Sequence, residues 1–171
     1  ISNECFMPLS YGGGIDSLEK AEEIFKIGFE KIVINSASFT HPGLIGKIAA
    51  IFGSQAVVAA VDVKKNLWGK YEVFGFHGTI NYKKSPVEWV RELEHNGVGE
   101  ILLTNIDREG TWKGFDIELI KMVTDSTKLP VIAHVGAGDV TDIGEVIKKG
   151  NASEVALGSM VVYQQKDLGV L

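Results

Sequence analysis

Two stretches of the chain restate one another, residues 8–16 (PLSYGGGID) and residues 130–139 (PVIAHVGAGD). In the second, Val131, Ile132 and Ala133 run into a cluster of small residues and then Asp139, the pattern of a buried parallel strand ending at a helix N-terminus. Glycine lets a backbone come close to an anion, and the free N–H groups of the next helix's first turn supply donors, helped by the helix dipole. One glycine-rich turn alone marks a tight turn and nothing more. Here each copy is followed by a helical stretch, a glycine and a second strand: residues 18–27, Gly28 and KIVINSA at the front, residues 143–149, Gly150 and EVALGSM at the back. With one residue of slippage the units lie about four βα units apart, so two quasi-equivalent halves are expected, each with a phosphate cradle.

Strand and helix signals alternate along the whole chain, as in a parallel sheet with crossover helices. Strands are predicted over residues 6–11, 31–36, 55–63, 100–106, 130–134 and 155–157, and helices over 17–27, 43–52, 86–96, 115–123 and 143–149. The first helix puts Leu18, Ala21, Ile24 and Phe25 on one face and Glu19, Lys20, Glu22 and Glu23 on the other, with Ser17 or Asp16 as its cap. The third is expected to turn Val87, Val90, Arg91 and Leu93 inward. Residues 64–85 form the one long irregular connection, and the alternation in KYEVFGFHG and TINYK predicts a β-hairpin over the site. An eight-stranded barrel typically takes about 250 residues, and this chain begins almost directly at a strand. The expected fold is α/β, an incomplete (β/α)8 TIM barrel with about six of its eight units. Residues 1–171 then form a single partial domain, units 3 to 8, with the first two units missing. An open doubly wound sheet competes, but a repeat at a four-unit offset suits a closed ring better than a sheet with a switch point.

Composition narrows the function classes. Hydrophobic content of 45% and charge of 23% exclude a disordered or collagenous chain. A net charge of −5 without a basic stripe argues against nucleic acid, but not against a phosphorylated metabolite held by backbone amides. The single Cys5 suits a reducing compartment, no apolar run approaches about 18 residues, and a soluble cytoplasmic protein is expected. His41, His77 and His95 are scattered, no His/Cys/Asp cluster has metal spacing, and no metal or cofactor is expected. Trp68, Trp89 and Trp112 are expected to pack or cover loops rather than to stack on bases.

YGGGI, KIVINSA, FGSQAVVAAVDVK, GVGEILLT, IDREGTWKGFD and PVIAHVGAG, in this order and spacing, closely resemble the cyclase subunit of imidazole glycerol phosphate synthase, a histidine-biosynthesis enzyme. The resemblance implies a lyase/cyclase in which a bis-phosphorylated ribulosyl formimino substrate spans the barrel mouth. Ammonia from a glutaminase partner splits it and closes an imidazole ring, giving imidazole glycerol phosphate and an aminoimidazole carboxamide ribotide.

Asp62 ends its strand on the same face as Val58 and Ala60, which would stand its carboxylate in the barrel mouth. By resemblance it is one of an acid/base pair of aspartates whose partner belongs to the missing first strand; otherwise it is a loop or capping aspartate. Thr104 and Glu109 join it as catalytic candidates. By resemblance Gly14, Asn35 and Ser36 hold one phosphate. Glu109, Gly110, Val135, Gly136, Ser159 and Met160 line the other, largely through backbone N–H groups; ordinary turn chemistry is the alternative for any single glycine. Val135 and Met160 stand where smaller residues are usual. Lys31 and Glu100 match charged residues of the barrel floor where ammonia enters, or are simply solvated charges at strand starts.

Two departures stand out. His134 replaces a usual serine and Glu109 the aspartate of DRDGT. A histidine there could donate to phosphate, join proton transfer, or be a passive hydrogen-bonded side chain. Both changes resemble synthase-like subunits of bacterial surface-sugar clusters, which pass ammonia to a sugar amidation step. The sister phosphoribosyl isomerase, with its two aspartates and two phosphates, is a further alternative, and so is a fragment that binds phosphate without catalysis.

Overall fold

The structure is a computed structural model describing residues 6–162, so Cys5 lies outside the described residues. The chain opens with β1 (Ser10–Gly12), α1 (Leu18–Lys26), β2 (Lys31–Ile34), α2 (Ala37–Thr40), α3 (Leu44–Phe52) and β3 (Val57–Lys65). A hairpin, β4 (Tyr71–Gly75) and β5 (Ile80–Asn81), leads to α4 (Pro86–His95) and β6 (Glu100–Asn105). Then come α5 (Ile117–Thr124), β7 (Val131–His134), α6 (Val140–Gly150), β8 (Glu154–Ala156) and α7 (Ser159–Val162).

The parallel strands lie in the order β1-β2-β3-β6-β7-β8, each next to its predecessor in the chain once the hairpin is set aside. A doubly wound sheet would reverse direction at a switch point, and this one never does. Right-handed crossovers that all step the same way put the long helices α1, α3, α4, α5 and α6 on one face. Neighbouring helices accordingly pack on one another outside the strands, α1 on α3, α4 on α5 and α5 on α6. The result is an arc of a (β/α)8 barrel.

Strand β3 shows how the sequence builds this arc. Val57, Ala59, Val61 and Val63 are fully buried under the helices. Ala60 and Asp62, on the other face, line the barrel interior. Each fully buried Val or Leu contributes about 1.5–3 kcal/mol, and the helical faces supply the matching surface. Leu18, Ile24 and Phe25 of α1 pack around the buried Ala21. Ser17 caps α1 through the Lys20 amide (3.3 Å), while Asp16 pairs with the Lys20 ammonium at 2.8 Å.

Three expectations are corrected. The first strand is confined to Ser10–Gly12, because β1 is an outer strand and finds partners only at Lys31–Val33 of β2. The inward stripe of α4 runs through Pro86, Trp89, Val90 and Leu93, while Arg91 is exposed and reaches the Ser126 carbonyl from outside. A Pro at the first helical position sets that i, i+3, i+4, i+7 phase. Residues 37–40, unassigned from sequence, form the one-turn helix α2, whose Phe39 ring stacks on Tyr82 at 3.7 Å and on Trp89 at 4.2 Å.

The hairpin lies over the strand ends as expected. The C-terminal half of β3 pairs antiparallel with β4, Asp62 opposite Phe74. The Tyr71 hydroxyl donates to Asp116 Oδ2 at 2.9 Å, and the Phe76 amide donates to Ser36 Oγ at 2.9 Å. These two bonds fix the hairpin to the loops after β6 and β2. Burial and the facing Asp116 carboxylate push the Tyr71 phenol far up, so it stays a donor.

Candidate active site

Because all six strands are parallel, the glycine turns after β1 and β7 leave the sheet at the same, C-terminal rim. Between them lies a cavity of about 790 Å³ lined by Gly14, Asn35, Ser36, Asp62, Thr104, Glu109 and His134. A smaller pocket of about 90 Å³ opens beside it, lined by Glu109, Gly110, His134, Val135, Gly136, Ser159 and Met160. Glu109 and His134 belong to both walls. Every rim residue singled out from the sequence therefore lines one of two adjoining spaces.

Strand register sets the centre of the site. Asp62 is the Cα partner of Thr104, and Thr104 of His134, so three side chains from β3, β6 and β7 stand in one row. Asn35, just past β2, extends the row: its Nδ2 donates to Asp62 Oδ2 at 3.0 Å and to the Ala60 carbonyl at 3.2 Å. Thr104 stands between Asp62 and His134 in this row, and its Oγ1 lies 3.1 Å from His134 Nδ1.

Burial pushes the Asp62 carboxyl up from its ordinary value, with the Glu109 carboxylate acting in the same sense; the Asn35 hydrogen bond and the neighbouring Thr104 hydroxyl hold it down in part. Burial likewise pushes the His134 imidazole down, against the pull of Glu109. A carboxyl raised and an imidazole lowered converge toward the range where both can exchange protons.

The loop after β7 is tightly made. Val135 sits in the left-handed region at φ 66°, which a β-branched residue rarely adopts. Gly136 follows at φ 100°, and a Cβ there would stand 2.5 Å from the Gly114 carbonyl oxygen. The Gly114 amide donates to the Gly136 carbonyl at 2.8 Å, joining this loop to the one after β6. Asp139 caps α6 through the Thr141 amide at 2.7 Å, in a reciprocal capping box with Asp142.

Lys31 and Glu100 lie at the opposite, N-terminal end of the strands, where they form an ion pair across β3. Glu100 Oε2 is buried and has no hydrogen-bond partner among the described residues. Sequence reasoning missed the hairpin's share of the rim, Phe76 and His77, and also His41, all of which line the large cavity. Three of the four histidines thus share one cavity although they are far apart in sequence. The only available signal was the hairpin itself, whose turn carries Phe76 and His77 at φ 50° and 57°. No group of three or more His, Cys, Asp or Glu able to hold a metal occurs among the described residues, and no described helix is long and apolar enough to cross a membrane.

Fold and rim together define the class: a (β/α)8-barrel protein with its polar residues gathered at the C-terminal ends of the strands. A sequence profile described as histidine biosynthesis protein matches residues 1–167, and the chain belongs to that family. It is 46% identical over 171 residues to a provisionally named imidazole glycerol phosphate synthase subunit hisF2 of Pseudomonas aeruginosa, covering 100% of this chain and 68% of that protein. It is 41% identical over 164 residues to the imidazole glycerol phosphate synthase subunit HisF of Alkaliphilus metalliredigens (96% of this chain, 65% of the relative). With the same subunit of Chlorobaculum parvum it shares 42% over 163 residues (95% and 64%). The chain spans about two thirds of the length of these relatives.

Proposed function

We propose that the protein is the cyclase subunit of an imidazole glycerol phosphate synthase, an ammonia-dependent lyase of histidine biosynthesis, and that these residues are units 3 to 8 of its single barrel domain. The carrying observation is the row Asn35, Asp62, Thr104, His134 set between two adjoining spaces on one rim. A substrate with a phosphate at each end would lie across that row. Gly14, Asn35 and Ser36 would receive one phosphate, and Gly110, Val135, Gly136, Ser159 and Met160 the other. Asp62 would give and take the protons that ammonia addition and ring closure require, with Thr104 and Glu109 beside it. Lys31 and Glu100 would sit where ammonia enters from a cytoplasmic glutaminase partner.

The test is turnover of the ribulosyl formimino intermediate by the full-length protein with an ammonium salt. Asp62→Asn is expected to lower kcat by about 10³-fold or more while substrate binding persists; an active variant overturns the assignment. A second reading, ammonia delivery to a sugar amidation step, is favoured by His134 and Glu109, the two departures from the usual residues, which line both spaces. Absence of turnover in the wild type would select it.

A further inference from the structure

The ionisable side chains lining the larger cavity are three carboxylates, Asp16, Asp62 and Glu109, and three histidines, His41, His77 and His134. No lysine or arginine among the described residues lines it. Of the cations on the surrounding elements, Lys20 is paired with Asp16 at 2.8 Å, Lys64 with Asp107 at 3.9 Å, and Arg108 donates to the Lys113 carbonyl at 3.1 Å. Lys47, on the helix that follows His41, stays outside the lining as well. A phosphate entering this cavity therefore meets three carboxylates, and only imidazolium charge is there to oppose them. Burial keeps the His134 ring toward its neutral form, whereas His41 and His77 are both exposed.

These two rings are tied to the front of the cavity through Ser36. The Phe76 amide donates to Ser36 Oγ at 2.9 Å, which seats the hairpin turn carrying His77 over the loop after β2. The turn rests on its other side against Ile106, whose Cδ1 would stand 2.9 Å from a Cβ at Gly78. His41 follows α2; its Nδ1 lies 2.8 Å from Thr40 Oγ1, and that hydroxyl reaches the Ser36 carbonyl at 3.3 Å. A protonated imidazole donates from both nitrogens. Thr40 Oγ1 can then receive Nδ1–H while giving its own proton to the Ser36 carbonyl, and His41 Nε2–H, unbonded among the described residues, is left for a ligand. The side chains of Asn35 and Ser36 offer no such donor. Asn35 Nδ2 is given to Asp62 and to the Ala60 carbonyl, and the Ser36 hydroxyl donates to Asn35 Oδ1 at 3.2 Å, so what these two residues hold out to an anion is backbone.

We propose that His41 and His77 are a pair of cationic ligands for the phosphate group at the front of the cavity, one following α2 and one on the hairpin turn, and that their protonation sets how tightly the phosphorylated substrate is held. The turn at Gly12, Gly13 and Gly14 shapes the cradle, and the two rings supply its charge. Affinity rises as pH falls, because each proton taken up adds a positive charge facing the anion. The same charge offsets the repulsion between an incoming dianion and Asp16, Asp62 and Glu109.

The pair is assigned on the reading of this cavity as a phosphate site, but its first test needs no turnover. Sulfate is the probe, because it stays a dianion throughout the range and any change of affinity with pH then belongs to the protein. In the full-length protein labelled with 15N-histidine, sulfate should move the His41 and His77 ring resonances, and its affinity should rise about tenfold from about pH 8 to about pH 5.5. His41→Asn and His77→Asn should each flatten part of that rise, and the double variant should remove it. A flat profile in the wild type, no binding at the acidic end, rings that do not move, or a rise that persists in the double variant overturns the pair. None of these outcomes bears on the cyclase assignment, which is decided by turnover of the ribulosyl intermediate and by Asp62→Asn. Where turnover is found, the double variant should raise KM by about tenfold near pH 6 at nearly constant kcat, and an unchanged KM overturns the pair while leaving the cyclase standing.

Discussion

Asn35 Nδ2 reaches across from the end of β2 to Asp62 Oδ2, 3.0 Å away on β3, so the angle of the carboxylate is set by a neighbouring strand rather than by its own loop. The same bond is the largest influence lowering the Asp62 pKa against burial. Asn35→Ala should therefore raise that pKa further and shift the acidic limb of the kcat profile to higher pH. Activity at pH 7 should fall by about 10–100-fold, read from pH–rate profiles of wild type and variant. An unmoved acidic limb would mean that Asp62 does not set it.

Depression of the His134 pKa has a consequence for stability whose sign can be worked out. The folded protein holds the ring neutral, so between the folded value and the ordinary value of about 6.5 the unfolded chain binds more protons. Stability from this group is present above about pH 6.5 and is lost as pH falls toward the folded pKa. His134→Gln should lose less Tm than the wild type between pH 7 and pH 5, measured by thermal melts in matched buffers. Parallel losses would show that the ring is not held neutral.

Lys31 and Glu100 are paired at the strand starts with Glu100 the more deeply buried, its side chain 13% exposed against 32% for Lys31. Removing the lysine leaves a largely buried carboxylate with no hydrogen-bond partner among the described residues. Lys31→Met should cost about 1–3 kcal/mol, and adding Glu100→Leu should restore most of it, read from urea titrations. If the pair also passes ammonia, glutamine-driven turnover in the full complex should drop in the double variant while turnover on added ammonium salt stays. Equal losses on both nitrogen sources would confine the pair to a structural role.

The barrel arc was legible because its strands carry buried-face runs such as Val57, Ala59, Val61 and Val63, and because Pro86 opens α4. Residues sharing the rim were legible through period two, which put Asp62 on the face of Ala60. What escaped was whatever depends on register between strands. Nothing local in the sequence says that Asp62, Thr104 and His134 are mutual partners, since that follows from how far each βα unit slides against the next. Arg91 was misplaced for a simpler reason: Trp89 and Val90 fill the interior stripe, and an arginine one position on can leave it. The α2 turn carries no cap signal, its Ser36 side chain being engaged by Phe76 instead of by the helix.

Val135 is the position where local preference and observed backbone conflict most. A valine at φ 66° brings its branched Cβ against the neighbouring backbone, a strain of about 1–2 kcal/mol that persists only because the flanking loops impose it. Gly136 is locked to Gly114 by a 2.8 Å hydrogen bond, and β7 fixes the other side through His134 and its partner Thr104. Val135→Gly removes the strain but gives the unfolded chain more freedom, a cost of about 0.4–1 kcal/mol. The net gain should be below about 1 kcal/mol in urea unfolding. The same change strips a side chain from the wall of the 90 Å³ pocket. Inorganic phosphate should then bind more tightly by calorimetry if that pocket is an anion site, because the backbone amides at 135 and 136 become more accessible. Tighter folding without tighter phosphate would leave Val135 as a strained turn residue and place the second phosphate elsewhere.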